Sequence, residues 1–145
     1  MDAAIVDSVV DRALGTLNAG AAVAREKDPE KQTAAFKKFF AADVADCAKA
    51  LAKVLGEKNF FVGGDTPTLA DVFVYDFFAN LLGSRVSKAG TPLDVWLASL
   101  GPVGKLVVRV GELPKIKAWN DKSTAAEAKA AEAAAAEAKA AEAKA

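Results

Sequence analysis

The side chains most often used for chemistry are scarce in this sequence, which has no histidine, one cysteine and one tyrosine. Without histidine, Ser-His-Asp triads, Cys-His pairs and the usual zinc sites are excluded within the chain. Cys47 has no partner for an internal disulfide. It lies on the stripe Phe36, Phe40, Val44, Cys47, Leu51 and Val54, whose helical spacing predicts a core position rather than a reactive thiol. A reducing compartment is compatible with this usage. Tyr75 falls in the most apolar stretch of the chain, where core packing is expected. The best-spaced polar groups are Thr68 and Asp71, in the S/T-x-x-D arrangement: a hydroxyl accepts from a free helix amide and the acid returns the bond. Asp76 comes five residues later. This chemistry is structural, the start signal of a helix.

The elements around this signal read as helix after helix. Val72, Phe73, Val74, Tyr75, Phe77, Phe78, Leu81 and Leu82 leave almost no polar face, so their helix is expected to run through the centre of a helical domain. Residues 3–26 place Val6, Val10, Leu14, Leu17 and Ala21 on one stripe, with Ile5 and Val9 beside it. Gly15, Ala19, Gly20 and Ala22 leave that helix thin, which allows a close approach inside the domain or across a dimer, or a kink near Gly20. Asp28 reads as an N-cap, with Pro29 at the first helical position and Glu30 at the positive end of a helix running to Leu55.

Gly83 to Gly90 is expected to form a loop, and Thr91 and Asp94 repeat the capping spacing. Pro102 opens a helix with Leu106, Val107, Val110 and Leu113 on its apolar side, and Pro114 starts the next with Ile116 and Trp119. The run from Leu106 to Val110 is too short and too closely flanked by helix starts to read as a strand. The fold class is therefore all-α.

Basic and acidic residues balance at 19 each, so nothing attracts nucleic acid electrostatically and no such partner is expected. Asp65, Asp71 and Asp76 interrupt the best apolar stretch, which excludes a membrane span of roughly 20 residues. The first segment carries Asp2, Asp7 and Asp11 instead of a basic start and an apolar run, so no signal peptide is read. An intracellular, cytoplasmic placement is expected, with an organelle left open because a cleaved transit peptide leaves no trace.

The stretch Gly64-Asp65-Thr66-Pro67-Thr68-Leu69-Ala70-Asp71, with Asp76 after it, resembles the segment that caps the central helix in the C-terminal helical domain of glutathione transferases. Three more segments agree with that resemblance. Residues 2–11 look like the first helix of that domain, residues 25–31 look like the turn into the second, and residues 112–119 are similar to the ending of sigma-type transferases. The resemblance spans residues 2–122 and implies a transferase C-terminal-like helical bundle over 1–122, with a low-complexity tail over 123–145.

In that family a preceding thioredoxin-like domain holds most of the glutathione and supplies the catalytic tyrosine, serine or cysteine. The pattern here is already helical by residue 3, leaving no room for a βαβ unit of roughly 30 residues. The resemblance thus implies no catalytic residue and no cofactor in this chain alone, glutathione entering only beside a thioredoxin-like domain. It also implies one position at which a first-helix acid approaches the glutathione amine held by a neighbouring subunit. Asp11 matches it; the plainer reading is a solvated acid beside Arg12. The expected function is a non-catalytic module serving as a structural or interaction subunit, with a protein partner, a larger assembly or a homodimer. The alternative is the C-terminal half of a glutathione transferase that needs a separate thioredoxin-like domain.

The tail lies outside the resemblance. Thr124 and Glu127 repeat the capping spacing, and glutamates then recur at 127, 132, 137 and 142 with lysines at 129, 139 and 144. Alanine favours helix, but about 20 residues form an isolated helix only in part. A five-residue step turns a helix by about 140 degrees, so the charges spread around it and specify no coiled coil. Glutamate and lysine are two residues apart in every unit except the one where Ala134 replaces the lysine, unlike engineered rigid linkers, where glutamate precedes lysine by four. That order favours a natural low-complexity extension over a synthetic tag.

Overall fold

The computed structural model describes residues 2–143, without the side chains of 137, 139, 140 and 142, and divides into two units, Met1–Val110 and Gly111–Ala145. The described residues contain helices and no strand.

Helix α1, Asp2–Ala24, buries Val9, Ala13 and Thr16. This is one step round from the expected stripe, and Leu14 of that stripe is 38% exposed. The shift has a steric cause. A Cβ placed on Gly20 would meet the Phe39 ring at 2.9 Å, so the small-residue side of α1 is the side on which the aromatic of the next helix closes down. The chain stays helical through Gly20, and the close approach is made inside the domain.

Asp28 starts the second helical run, its Oδ1 accepting from the amides of Glu30 at 3.0 Å and Lys31 at 3.2 Å. Helix α2, Pro29–Phe39, continues through a π-helical stretch, Phe40–Val44, into α3, Ala45–Leu55. The wider π turn rotates the register of α2 relative to that of α3. Val44, Cys47 and Leu51 are buried as the stripe predicts, but upstream Phe39 is buried while Phe36 and Phe40 are half-buried, and downstream Val54 is exposed.

Helix α4, Leu69–Tyr75, likewise passes through a π-helical stretch, Asp76–Leu82, into α5, Gly83–Lys88. Val74, Tyr75, Phe77, Phe78 and Leu82 are buried. Burial of two neighbouring pairs fits the altered register, and the polar residues Asp76 and Asn80 are exposed. The expected loop after Leu82 is instead helix. Gly83 does not break the chain because its missing side chain makes room for Leu93, whose Cδ1 would lie 2.7 Å from a Cβ there.

Helix α6, Leu93–Ser99, starts at Pro92 with no side-chain cap. The Thr91 and Asp94 pair fails as a capping box because the start falls at Pro92, placing Asp94 one position too early in the first turn. Helix α7, Pro102–Gly111, buries Val103, Leu106, Val107 and Val110 and contains the segment weighed as a strand.

In the second unit, helix α8 covers Pro114–Ala143 and crosses residues 122 and 123 without a break. The expected cap at Thr124 is absent because the helix is already running there, and the Thr124 hydroxyl donates to the Asn120 carbonyl at 2.9 Å. Lys144 lies outside the described residues, as do the side chains of Glu137, Lys139 and Glu142.

Candidate functional site

Two places in the first unit collect the polar side chains singled out by the sequence. One is built around Asp71, which is 0% exposed. Its Oδ1 accepts the amide of Phe61 at 2.9 Å, and its Oδ2 accepts both the amide of Thr68 at 2.7 Å and the Thr68 hydroxyl at 2.8 Å. A buried carboxylate is costly unless its oxygens are satisfied, and here three donors converge on them. The loop that delivers Phe61 reverses at Gly63 and Gly64, with φ of 96° and 72°, a region that side-chain-bearing residues avoid.

Two cations fasten the same loop. Lys58 Nζ donates to the Phe61 carbonyl at 2.6 Å, and Arg109 Nη1 donates to the Asn59 carbonyl at 2.7 Å. Phe60 and Phe61 fill the space beneath. Asp71 therefore ties a loop to the first turn of the central helix and is sealed from any substrate. Asp76 does not join this knot. It sits exposed within the helical run and accepts from Asn80 Nδ2 at 2.7 Å.

The other place is a groove of about 700 Å³ between α1 and the π stretch leading into α3. Asp11, Arg12, Gly15, Thr16, Asp43 and Cys47 contribute to its walls. Gly15 widens it, since a Cβ there would meet nothing within 4 Å. Asp11 is exposed at this surface. The Thr16 hydroxyl donates to the Arg12 carbonyl at 3.2 Å.

Cys47 forms part of the base and is 2% exposed. Burial pushes its thiol pKa up, partly offset by a hydrogen bond with Thr16 and by the charge of Arg12, so the residue is a neutral thiol at physiological pH. Tyr75, at 8% exposure, is likewise taken up by the core. Among the described residues no group of three or more Cys, Asp or Glu side chains could hold a metal ion. None of their helices is long and apolar enough to cross a membrane.

The sequence reading found Asp11 and Cys47 separately and did not bring them together. It named Arg12 only as the neighbour of Asp11 and missed Thr16 and Asp43. Residues 8, 11, 12, 15 and 16 recur at helical spacing as small or polar side chains, and that second stripe on α1 was the available signal.

A family model described as glutathione S-transferase, C-terminal domain, matches residues 16–123. That span contains Thr68, Asp71 and Asp76 and begins inside α1, after Asp11. No curated protein and no solved structure matches the chain. The match takes in most of the sequence and agrees with an all-helical first unit whose central helix is capped by a half-buried threonine paired with a buried aspartate: the chain belongs to the glutathione S-transferase C-terminal domain family.

Proposed function

We propose that this chain is a non-catalytic, transferase-like helical module that acts as a structural or interaction subunit of a protein assembly. The observation that carries this reading is the placement of its tyrosine and its cysteine. Tyr75 and Cys47, two of the three residue types that serve as the catalytic group in this family, are both buried, the cysteine with its pKa raised. A thiolate is the reactive form of cysteine, so a buried thiol kept neutral is a poor nucleophile. Membership of an enzyme family does not supply the missing chemistry, because fold and activity are separable. The module is expected to bind a protein partner, a larger assembly or a second copy of itself.

The position of Asp11 favours one second reading, in which the chain is the helical half of a glutathione transferase. Its carboxylate borders the α1 groove and is available to an ammonium group from outside the chain. Adding a thioredoxin-like domain of a glutathione transferase and assaying thiol conjugation separates the two readings. Persistent inactivity of a folded mixture, with the chain retained in a stable assembly of defined stoichiometry, is the expected outcome. Restored conjugation that falls on Asp11→Ala would replace the interaction reading with the enzymatic one.

A further inference from the structure

A separate hollow of about 320 Å³ lies where the π stretch and α3 face the corner between α6 and α7, and no residue of α1 contributes to it. One wall is aromatic. Phe40 and Trp96 meet edge to face at 6.1 Å, and Phe78 backs the indole with its centroid at 6.1 Å and its plane inclined by 34°. The Ser99 hydroxyl donates to the Trp96 carbonyl at 2.6 Å, holding the turn that carries the indole.

The opposite wall is low because Ala45, Ala48 and Ala52 occupy neighbouring positions on one face of α3. A leucine at any of them would fill the space. The α6 and α7 corner cannot slide in to fill it either. A Cβ on Gly104 would lie 1.8 Å from the Leu97 carbonyl oxygen, so these two helices are already at their closest backbone approach. Small side chains on one side and a locked corner on the other keep the hollow open, at the lower end of the size range of ligand pockets.

One cation lines this apolar space. Lys49 is paired with Asp46 at 3.6 Å, with both side chains 75% exposed, so its ammonium is available to a better-placed anion. An aromatic wall favours a flat ring in edge or offset contact, and a single cation selects a single negative charge.

We propose that this hollow between α3 and the α6–α7 corner binds a small aromatic carboxylate, with its one or two rings against Phe40 and Trp96 and its carboxylate at Lys49. The site stands apart from the α1 groove and does not depend on the interaction role proposed above.

The test is calorimetric titration of the full chain with 2-naphthoate and, as an uncharged comparator, 2-naphthylmethanol. Trp119→Phe leaves Trp96 as the sole indole of the two in the chain, so its emission reports whether the probe reaches this hollow. Saturable one-to-one binding that changes Trp96 emission is expected. Ala52→Leu should weaken both probes by about ten-fold or more while keeping the helical circular dichroism. Lys49→Gln should weaken naphthoate by about three-fold and leave naphthylmethanol unchanged. Absence of saturable binding, or binding that a folded Ala52→Leu chain retains, overturns the proposal. If Ala52→Leu does not fold, Lys49→Gln decides, and an equal response of the two probes to that change overturns it as well.

Discussion

The central segment from Thr68 to Leu82 and the alanine-rich segment from Thr124 onward are both helical, yet they hold that state for different reasons. In the first, individual side chains have assigned partners: Asp71 satisfies three donors, and Phe78 is 0% exposed. In the second, residues 124–136 are all exposed, and the helix rests on the intrinsic preference of alanine. One stretch is specified by tertiary contacts and the other by local propensity. A substitution should therefore be felt across the whole first unit in one case and only within a few turns in the other.

The largest break in this contrast is expected from Asp71→Ala. It leaves the amides of Phe61 and Thr68 and the Thr68 hydroxyl without their acceptor, and should cost about 3–5 kcal/mol in urea unfolding monitored at Trp96. A loss below about 1 kcal/mol would mean that the knot is incidental to the fold. Gly104→Ala should come next at about 2–3 kcal/mol, because the new methyl meets the Leu97 carbonyl and α6 and α7 must part.

A smaller effect is expected at Cys47. Its folded pKa is raised by burial, so its contribution to stability is complete below the ordinary thiol value near 9.0 and is lost as pH rises through the folded value. The unfolding midpoint should be level in pH until that alkaline range and then fall, and Cys47→Ala should remove part of the fall. Alkylation of the native chain at neutral pH should be slow, and should speed up in urea. The smallest effect is predicted for Ala134→Gly. It should reduce helical circular dichroism, at a local cost of about 1 kcal/mol, and leave the Trp96 unfolding midpoint where it was. A shifted midpoint would erase the distinction between the two segments.

The contrast also explains which parts of the fold were legible in the sequence. Start signals with a fixed local geometry were readable: Asp28 caps its helix, Thr68 and Asp71 form the predicted box, and Pro102 and Pro114 open helices. Features decided by packing were not. The π stretches at Phe40–Val44 and Asp76–Leu82 change the register that a 3.6-residue count assumes, so Phe39 was passed over in favour of Phe36 and Phe40. On α1, Leu14 of the expected stripe is exposed while Val9, Ala13 and Thr16 take the buried face, and Gly20 leaves room for the Phe39 ring. Gly83 looked like a breaker and proved to be a contact, and Thr124 looked like a cap and proved to be mid-helix.

Of the candidate site, Asp11 was reachable through resemblance. The groove beside it was not, since it depends on α1 and α3 lying side by side and on Gly15 leaving one wall low. The second hollow, between α3 and the α6–α7 corner, was equally hidden because the alanines that open it read as ordinary helix formers.

The interaction role is tested most directly by the native mass of the chain in extract from its source, with mass-spectrometric identification and stoichiometry of the proteins that co-elute. Elution well above 15.0 kDa, with the same partner at a fixed ratio across preparations, is the predicted result. Elution as a monomer, or thiol conjugation in the fraction that holds the chain, would contradict it.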